Sequence, residues 1–154
     1  MPVIERFKAC YATFDSRSVS QLNSIYAKDA VFIDPIHKVV GLDHIIGYFT
    51  DMCTNLVSCR FAYLHQARQD DDVFIQWQMV FQHKTLAGGR DVVVPGVTRL
   101  KIAHDLIIEH EDFYDMGAMV YEKIPMFGRF ITWLRKRLAT ASHDFSSQPL
   151  SASK

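Results

Sequence analysis

Between residues 73 and 83 the sequence VFIQWQMVFQH alternates with a period of two: Val73, Ile75, Trp77, Met79 and Phe81 fall on one side, Gln76, Gln78 and Gln82 on the other. A strand with one buried and one wet face produces that pattern, whereas a helix, turning by about 100° per residue, scatters it. Strand-like runs also cover about residues 59 to 69, 91 to 102 and 106 to 115. The segments between the four runs, DDD, AGG and AHD, suit hairpin turns. An antiparallel meander is therefore expected in the second half of the chain. The first half reads differently. Val3, Ile4, Phe7, Cys10, Tyr11 and Phe14 recur at helical spacing within 2 to 14, and a second short helix is expected from Val19 to about Tyr26. AVFIDP then reads as a strand ending at Pro35, and Ile45, Ile46, Phe49, Met52 and Leu56 mark a helix within 41 to 57. Helices first and strands afterwards make an α+β fold, the helices lying on one side of a curved antiparallel sheet.

One strand breaks the rule. In IIEHEDFYD, residues 107 to 115, alternation sets Ile108, His110, Asp112 and Tyr114 against Ile107, Glu109, Glu111, Phe113 and Asp115, so neither face is cleanly apolar. A His-x-Asp-x-Tyr row has two readings. It is either a hydrogen-bonded buried network or the polar floor of a ligand cavity.

The 154 residues are one domain by length and carry 17 basic and 17 acidic side chains. This balance argues against a nucleic-acid surface and against intrinsic disorder, and favours a small or uncharged ligand. Cys10, Cys53 and Cys59 are odd in number and lack metal-ligand spacing, so they read as packing residues of a reducing compartment. The N-terminal stretch MPVIERFKACYATF carries charges where a signal peptide needs an apolar run, and the expected location is the cytoplasm. No metal site is expected: His110, Asp112 and Asp34 lack the second histidine of a facial triad. Arg99 and Lys101 are expected to be solvated or at a subunit contact.

Beyond the strands, MFGRFITWLRKRL puts Phe127, Phe130, Ile131, Leu134 and Leu138 on one helical stripe with Arg129, Lys136 and Arg137 elsewhere. The division expected is a domain over 1–115, a helical extension over 116–140 packed on it, and a flexible polar tail over 141–154. The stripe is expected on the domain or a partner subunit, in preference to an anionic membrane.

Two stretches, in this order, carry a resemblance. YAKDAVFIDP looks like the first strand of the NTF2-like superfamily, and GVTRLKIAHDLIIEHEDFYD like its last hairpin; within that superfamily the chain resembles the SnoaL-like and ketosteroid-isomerase-like proteins over residues 2 to 115. The resemblance implies a cystatin-like cone, a bent sheet round a long helix with an apolar pocket between them. His110, Asp112 and Tyr114 would then face that pocket, Trp77, Met79 and Phe81 would form a neighbouring wall, and Asp34 would enter from the opposite side. It also implies a homodimer through the outer sheet face, around Val80 and the glutamines of residues 76 to 82.

A carboxylate walled by apolar rings loses solvation and becomes a better proton acceptor. In ketosteroid isomerases one aspartate moves a proton while a tyrosine and a protonated aspartic acid hold the oxyanion. Asp34 matches the proton-moving position, Cys10 aligns with the helix-one tyrosine, and Thr98 aligns with the oxyanion aspartic acid. Asp112 and His110 match the strand on which SnoaL-like cyclases carry their acid–base aspartate. The expected machinery is therefore Asp112 or Asp34 as base, with His110 shuttling or orienting the proton. Tyr114 or Thr98 would donate to substrate oxygen in a cofactor-free isomerisation, cyclisation or hydrolysis of a hydrophobic carbonyl compound. The competing expectation is a non-catalytic binder of a lipid-like or polyketide-like ligand. Asp34, preceding Pro35, also reads as a simple turn residue.

Overall fold

A computed structural model describes residues 1–119; the stripe and the polar tail expected further on lie outside the described residues. Helix α1 (Val3–Ala12) buries Val3, Ile4, Phe7, Cys10 and Tyr11, the face its spacing predicts. The helix expected from Val19 to Tyr26 is replaced by two shorter elements, α2 (Ser16–Val19) and a 3-10 turn at Leu22–Ser24. The reason lies in the serines, which favour caps and turns over a helix interior because they bond nearby backbone. Ser18 donates to the Thr13 carbonyl, Ser20 to that of Arg17 and Ser24 to that of Gln21. Asp15 caps α2 by accepting from the amides of Arg17 and Ser18.

Strand β1 (Tyr26–Ile33) claims Tyr26, and a three-residue strand β2 (Lys38–Val40), too short to show a period, pairs with it. Helix α3 (Leu42–Thr54) starts after Gly41, whose φ of 92° suits glycine alone, and buries Ile45 and Phe49. The meander follows as β3 (Leu56–Gln69), β4 (Asp72–His83), β5 (Val92–Ala103) and β6 (Leu106–Tyr114), with a four-residue helix α4 (Met116–Met119) after it. The sheet order is β2-β1-β6-β5-β4-β3.

The sheet is not wholly antiparallel. β1 runs parallel to β6, with Phe32 beside His110 and Ile33 beside Glu111. A hairpin forces its strands to oppose each other; α3 and four strands separate β1 from β6, so nothing local fixes their direction. The β5–β6 hairpin turns through His104 and Asp105 with φ of 51° and 57°, the left-handed pair that matches strand twist. Asp105 then accepts the Val3 amide at 2.9 Å and pairs with Arg6 at 2.7 Å, pinning the start of α1 to the hairpin end.

Inward-facing Val73, Ile75, Trp77 and Phe81 pack under the helices as their alternation requires. On the outer face Arg99 pairs with Glu109 and lies 3.4 Å from Glu111 and 4.0 Å from Asp72, so it is tied to carboxylates on both flanking strands.

Candidate functional site

Between the helices and the inner sheet face lies a cavity of about 320 Å³. All eight side chains singled out from the sequence line it: His110, Asp112 and Tyr114 from β6, Trp77, Met79 and Phe81 from β4, Thr98 from β5 and Asp34 beyond β1. Strand alternation explains the first seven, because residues two apart along a strand share a face.

His110 is 1% exposed and therefore needs partners for both ring nitrogens. Nδ1 meets the Tyr26 hydroxyl at 2.5 Å, and Nε2 meets Asp112 Oδ1 at 2.8 Å. Tyr26 in turn meets the Tyr11 hydroxyl at 2.8 Å. On the other side of Asp112, Thr98 donates to the same Oδ1 and accepts from the Trp77 indole N–H at 2.8 Å. Donor rules orient this chain. Trp77 only donates, so the Thr98 proton points at Asp112; with Asp112 ionised and His110 neutral, Nε2–H points at Asp112, and Tyr26 donates to Nδ1 while accepting from Tyr11. Two donors thus converge on Oδ1. Among the described residues no donor falls on Oδ2.

The imidazole is clamped from several sides. Its ring centroid lies 4.9 Å from that of Phe32 and 5.5 Å from that of Phe7, both edge-on, and its plane is within 3° of that of Tyr26. Such packing holds the ring to one orientation.

Asp34 does not enter from the opposite side. It follows the last β1–β6 pair, Ile33 and Glu111, by one residue, as Asp112 does, and so occupies the neighbouring position on the adjacent strand. The parallel alignment of β1 with β6 is what sets the two residues at neighbouring positions. Asp34 Oδ1 accepts the amides of Ile36 and His37, both at 2.7 Å, so the residue does hold a turn. Its Oδ2 accepts from the Tyr48 hydroxyl at 2.5 Å, and Tyr48 comes from α3. Turn residue and cavity residue are the same side chain.

Cys10 is misplaced by the resemblance. Its thiol donates to the Ser18 carbonyl at 3.5 Å, and burial pushes it up to about 11. Tyr11, one residue on, lines the cavity instead. Tyr11, Tyr26 and Tyr48 are the site residues that sequence reasoning missed. Tyr11 stands on the apolar stripe of α1, where an aromatic ring reads as core; Tyr26 falls where the predicted second helix meets the first strand, and Tyr48 lies beside the predicted stripe of α3. Burial of two tyrosines next to a row already holding His and Asp is the signal that could have found them, since buried hydroxyls need partners.

Burial is the first cause raising every tyrosine in this region, Tyr11, Tyr26, Tyr48, Tyr63 and Tyr114, and the charge of Asp112 adds to each. The phenols therefore remain donors throughout the neutral range. A tyrosine in the unfolded chain ionises near pH 10. Above that pH the unfolded state sheds protons that the folded state keeps, so this stabilisation is complete below about pH 10 and is lost as the pH rises, at up to about 1.4 kcal/mol per pH unit for each phenol. In a spectrophotometric titration these five tyrosines should ionise together with loss of the fold; tyrosinate absorbance rising well before circular dichroism changes would contradict their burial.

No three His, Cys, Asp or Glu side chains among the described residues are placed to hold a metal ion, and no helix among them is long and apolar enough to cross a membrane.

A family model described as a SnoaL-like domain matches residues 7–110. No curated protein sequence matches the chain. Solved structures do. A hypothetical protein of ketosteroid isomerase-like fold from Catenulispora acidiphila, in complex with trimethylamine, is 17% identical with a TM-score of 0.67, over 79% of this chain and 90% of that one. A candidate SnoaL-like polyketide cyclase from Shewanella putrefaciens is 20% identical with a TM-score of 0.66, over 80% and 94%. TerC, co-crystallised with polyporic acid, is 21% identical with a TM-score of 0.65, over 77% and 95%. These likenesses establish the α+β NTF2-like fold with a curved sheet, here open rather than closed on itself.

Proposed function

Because the chain belongs to the SnoaL-like domain family, we propose that its cavity binds a small hydrophobic carbonyl compound and moves a proton on it without a cofactor, as an isomerase or cyclase. The observation that carries this is the asymmetry of Asp112. Oδ1 is held by Thr98 and His110, which fixes the carboxylate plane, while Oδ2 is left to the cavity. A base fixed at one oxygen and free at the other is oriented for proton abstraction. His110, backed by Tyr26 and Tyr11, offers a route along which hydrogen-bond direction can reverse when Asp112 takes up a proton. Tyr114, which lines the cavity, would donate to substrate oxygen, and Asp34 with Tyr48 forms a second polar pair in the same cavity. Trimethylamine and polyporic acid in the related structures are small-molecule occupants, which supports a ligand of that scale.

The test uses β-tetralone, an apolar ketone with acidic α-hydrogens, in deuterated buffer. The protein should accelerate α-deuteration, followed by proton NMR, well above the buffer rate. Binding of the ketone with no acceleration would instead favour a non-catalytic binding module. The observation on that side is that the helix-one tyrosine that lines the cavity, Tyr11, has its hydroxyl bonded to that of Tyr26. We also propose that the outer sheet face, which exposes Phe74, Val93 and Phe113, pairs with a second copy of the chain. Sedimentation velocity should show a dimer, and a charge introduced at Val93 should convert it to monomer.

A further inference from the structure

Eleven aromatic side chains and the carboxylates of Asp34, Asp51 and Asp112 line the cavity, and no lysine or arginine does so among the described residues. Two of those carboxylates stand at neighbouring positions of adjacent strands, β1 and β6, which run about 4.8 Å apart. Asp51 sits on α3 and is exposed. Two of the neutral donors are already committed, Thr98 to Asp112 and Tyr48 to Asp34. Once Asp112 has taken up a proton, negative charge developing on a neutral substrate would therefore still meet the Asp34 carboxylate, with little beyond the Tyr114 hydroxyl to offset it.

We propose that the ligand supplies the missing charge itself: the cavity is built for an apolar molecule carrying a protonated or quaternary amine, which sits by Asp112 and Asp34 among the rings of Trp77, Tyr114 and Tyr48. This rests on the reading of the cavity as a ligand site and names the class of molecule it takes. Ring quadrupoles attract cations, more strongly where water is excluded, and a carboxylate in the same enclosure adds to them. The rings are close enough to act together: the centroids of Trp77 and Tyr114 are 6.3 Å apart, and Phe61 packs edge-on against Trp77 at 5.2 Å. The anionic field reaches the walls as well. After burial, the hydrogen bond and charge of Asp34 are what most raise the Tyr48 phenol above its ordinary range, and the charges of Asp34 and Asp112 raise that of Tyr114. The same field disfavours an anionic ligand in a cavity otherwise greasy enough to take one.

The probe pair is benzyldimethyl(hydroxyethyl)ammonium and its carbon isostere, in which a quaternary carbon replaces the nitrogen. The two differ in charge and hardly in shape. Saturation-transfer NMR and calorimetric titration of the full chain should show the cation binding at least about tenfold tighter than the isostere. In Asp112→Asn and Asp34→Asn the preference should shrink toward parity, with circular dichroism reporting that each variant is folded. Equal affinity for both probes in the unsubstituted protein, or a cation preference unchanged in both variants, would overturn the charge assignment and leave the cavity standing as a ligand site. Binding of neither probe would remove both readings together.

Discussion

Asp112→Asn is expected to slow α-proton exchange on β-tetralone by about a hundred- to ten-thousandfold, the span that general-base catalysis contributes. The substitution is unusually clean here. An asparagine oxygen at the Oδ1 position still accepts from Thr98 and His110, and the new amide takes the place of Oδ2 toward the cavity. The network behind the site keeps every partner, so unfolding free energy should change by no more than about 1 kcal/mol. Loss of rate with an unchanged denaturation curve is the result that assigns the base. A rate unaffected in Asp112→Asn and abolished in Asp34→Asn would transfer the role to the neighbouring carboxylate. Rates unaffected in both would end the proton-abstraction mechanism.

The second large effect comes from a residue with no side chain. Gly96 on β5 pairs with Trp77 on one side and Tyr114 on the other. The Trp77 indole lies across it to reach Thr98, and a Cβ added at Gly96 would overlap the Cη2, Cζ2 and Cζ3 atoms of that ring. Gly96→Ala therefore has to displace a ring that is 3% exposed and break its bond to Thr98. Overpacking and the lost hydrogen bond together should cost about 2 to 4 kcal/mol in a urea titration. The cause can be isolated. In a Trp77→Leu background the methyl group has room, and the same change at Gly96 should then cost less than about 0.5 kcal/mol, since alanine is the less flexible residue in the unfolded chain. Equal costs in the two backgrounds would show that the indole is not what excludes a side chain at position 96.

Much of this fold was legible because strand alternation is local information. Val73 through Phe81 declare their inner face by spacing alone, and the same period places Thr98, His110, Asp112 and Tyr114 on that side of the neighbouring strands. What was read wrongly depended on partners distant in sequence or on competition within a few residues. Residues 19 to 26 looked helical until serine-to-backbone bonds divided them and Tyr26 joined β1. β2 is three residues long and exists because β1 offers it an edge. Cys10 and Tyr11 differ by one position on α1, about 100° of rotation, and only the docking of that helix through Asp105 settles which of them meets the cavity.

By itself, the amino-acid sequence determined the helices at Val3–Ala12 and Leu42–Thr54, the meander, the oily face of β4 and the His-x-Asp-x-Tyr row of β6, because each follows from side-chain period within one segment. Tertiary structure alone decided that β1 lies parallel to β6, and with it that Asp34 stands beside Asp112 instead of across from it. It also decided that the histidine is backed by two tyrosines from other elements. The physical reason is that a strand's period fixes which way a side chain points and says nothing about its neighbour. That neighbour is chosen when the sheet closes up its hydrogen bonds and every buried polar group has to find a partner.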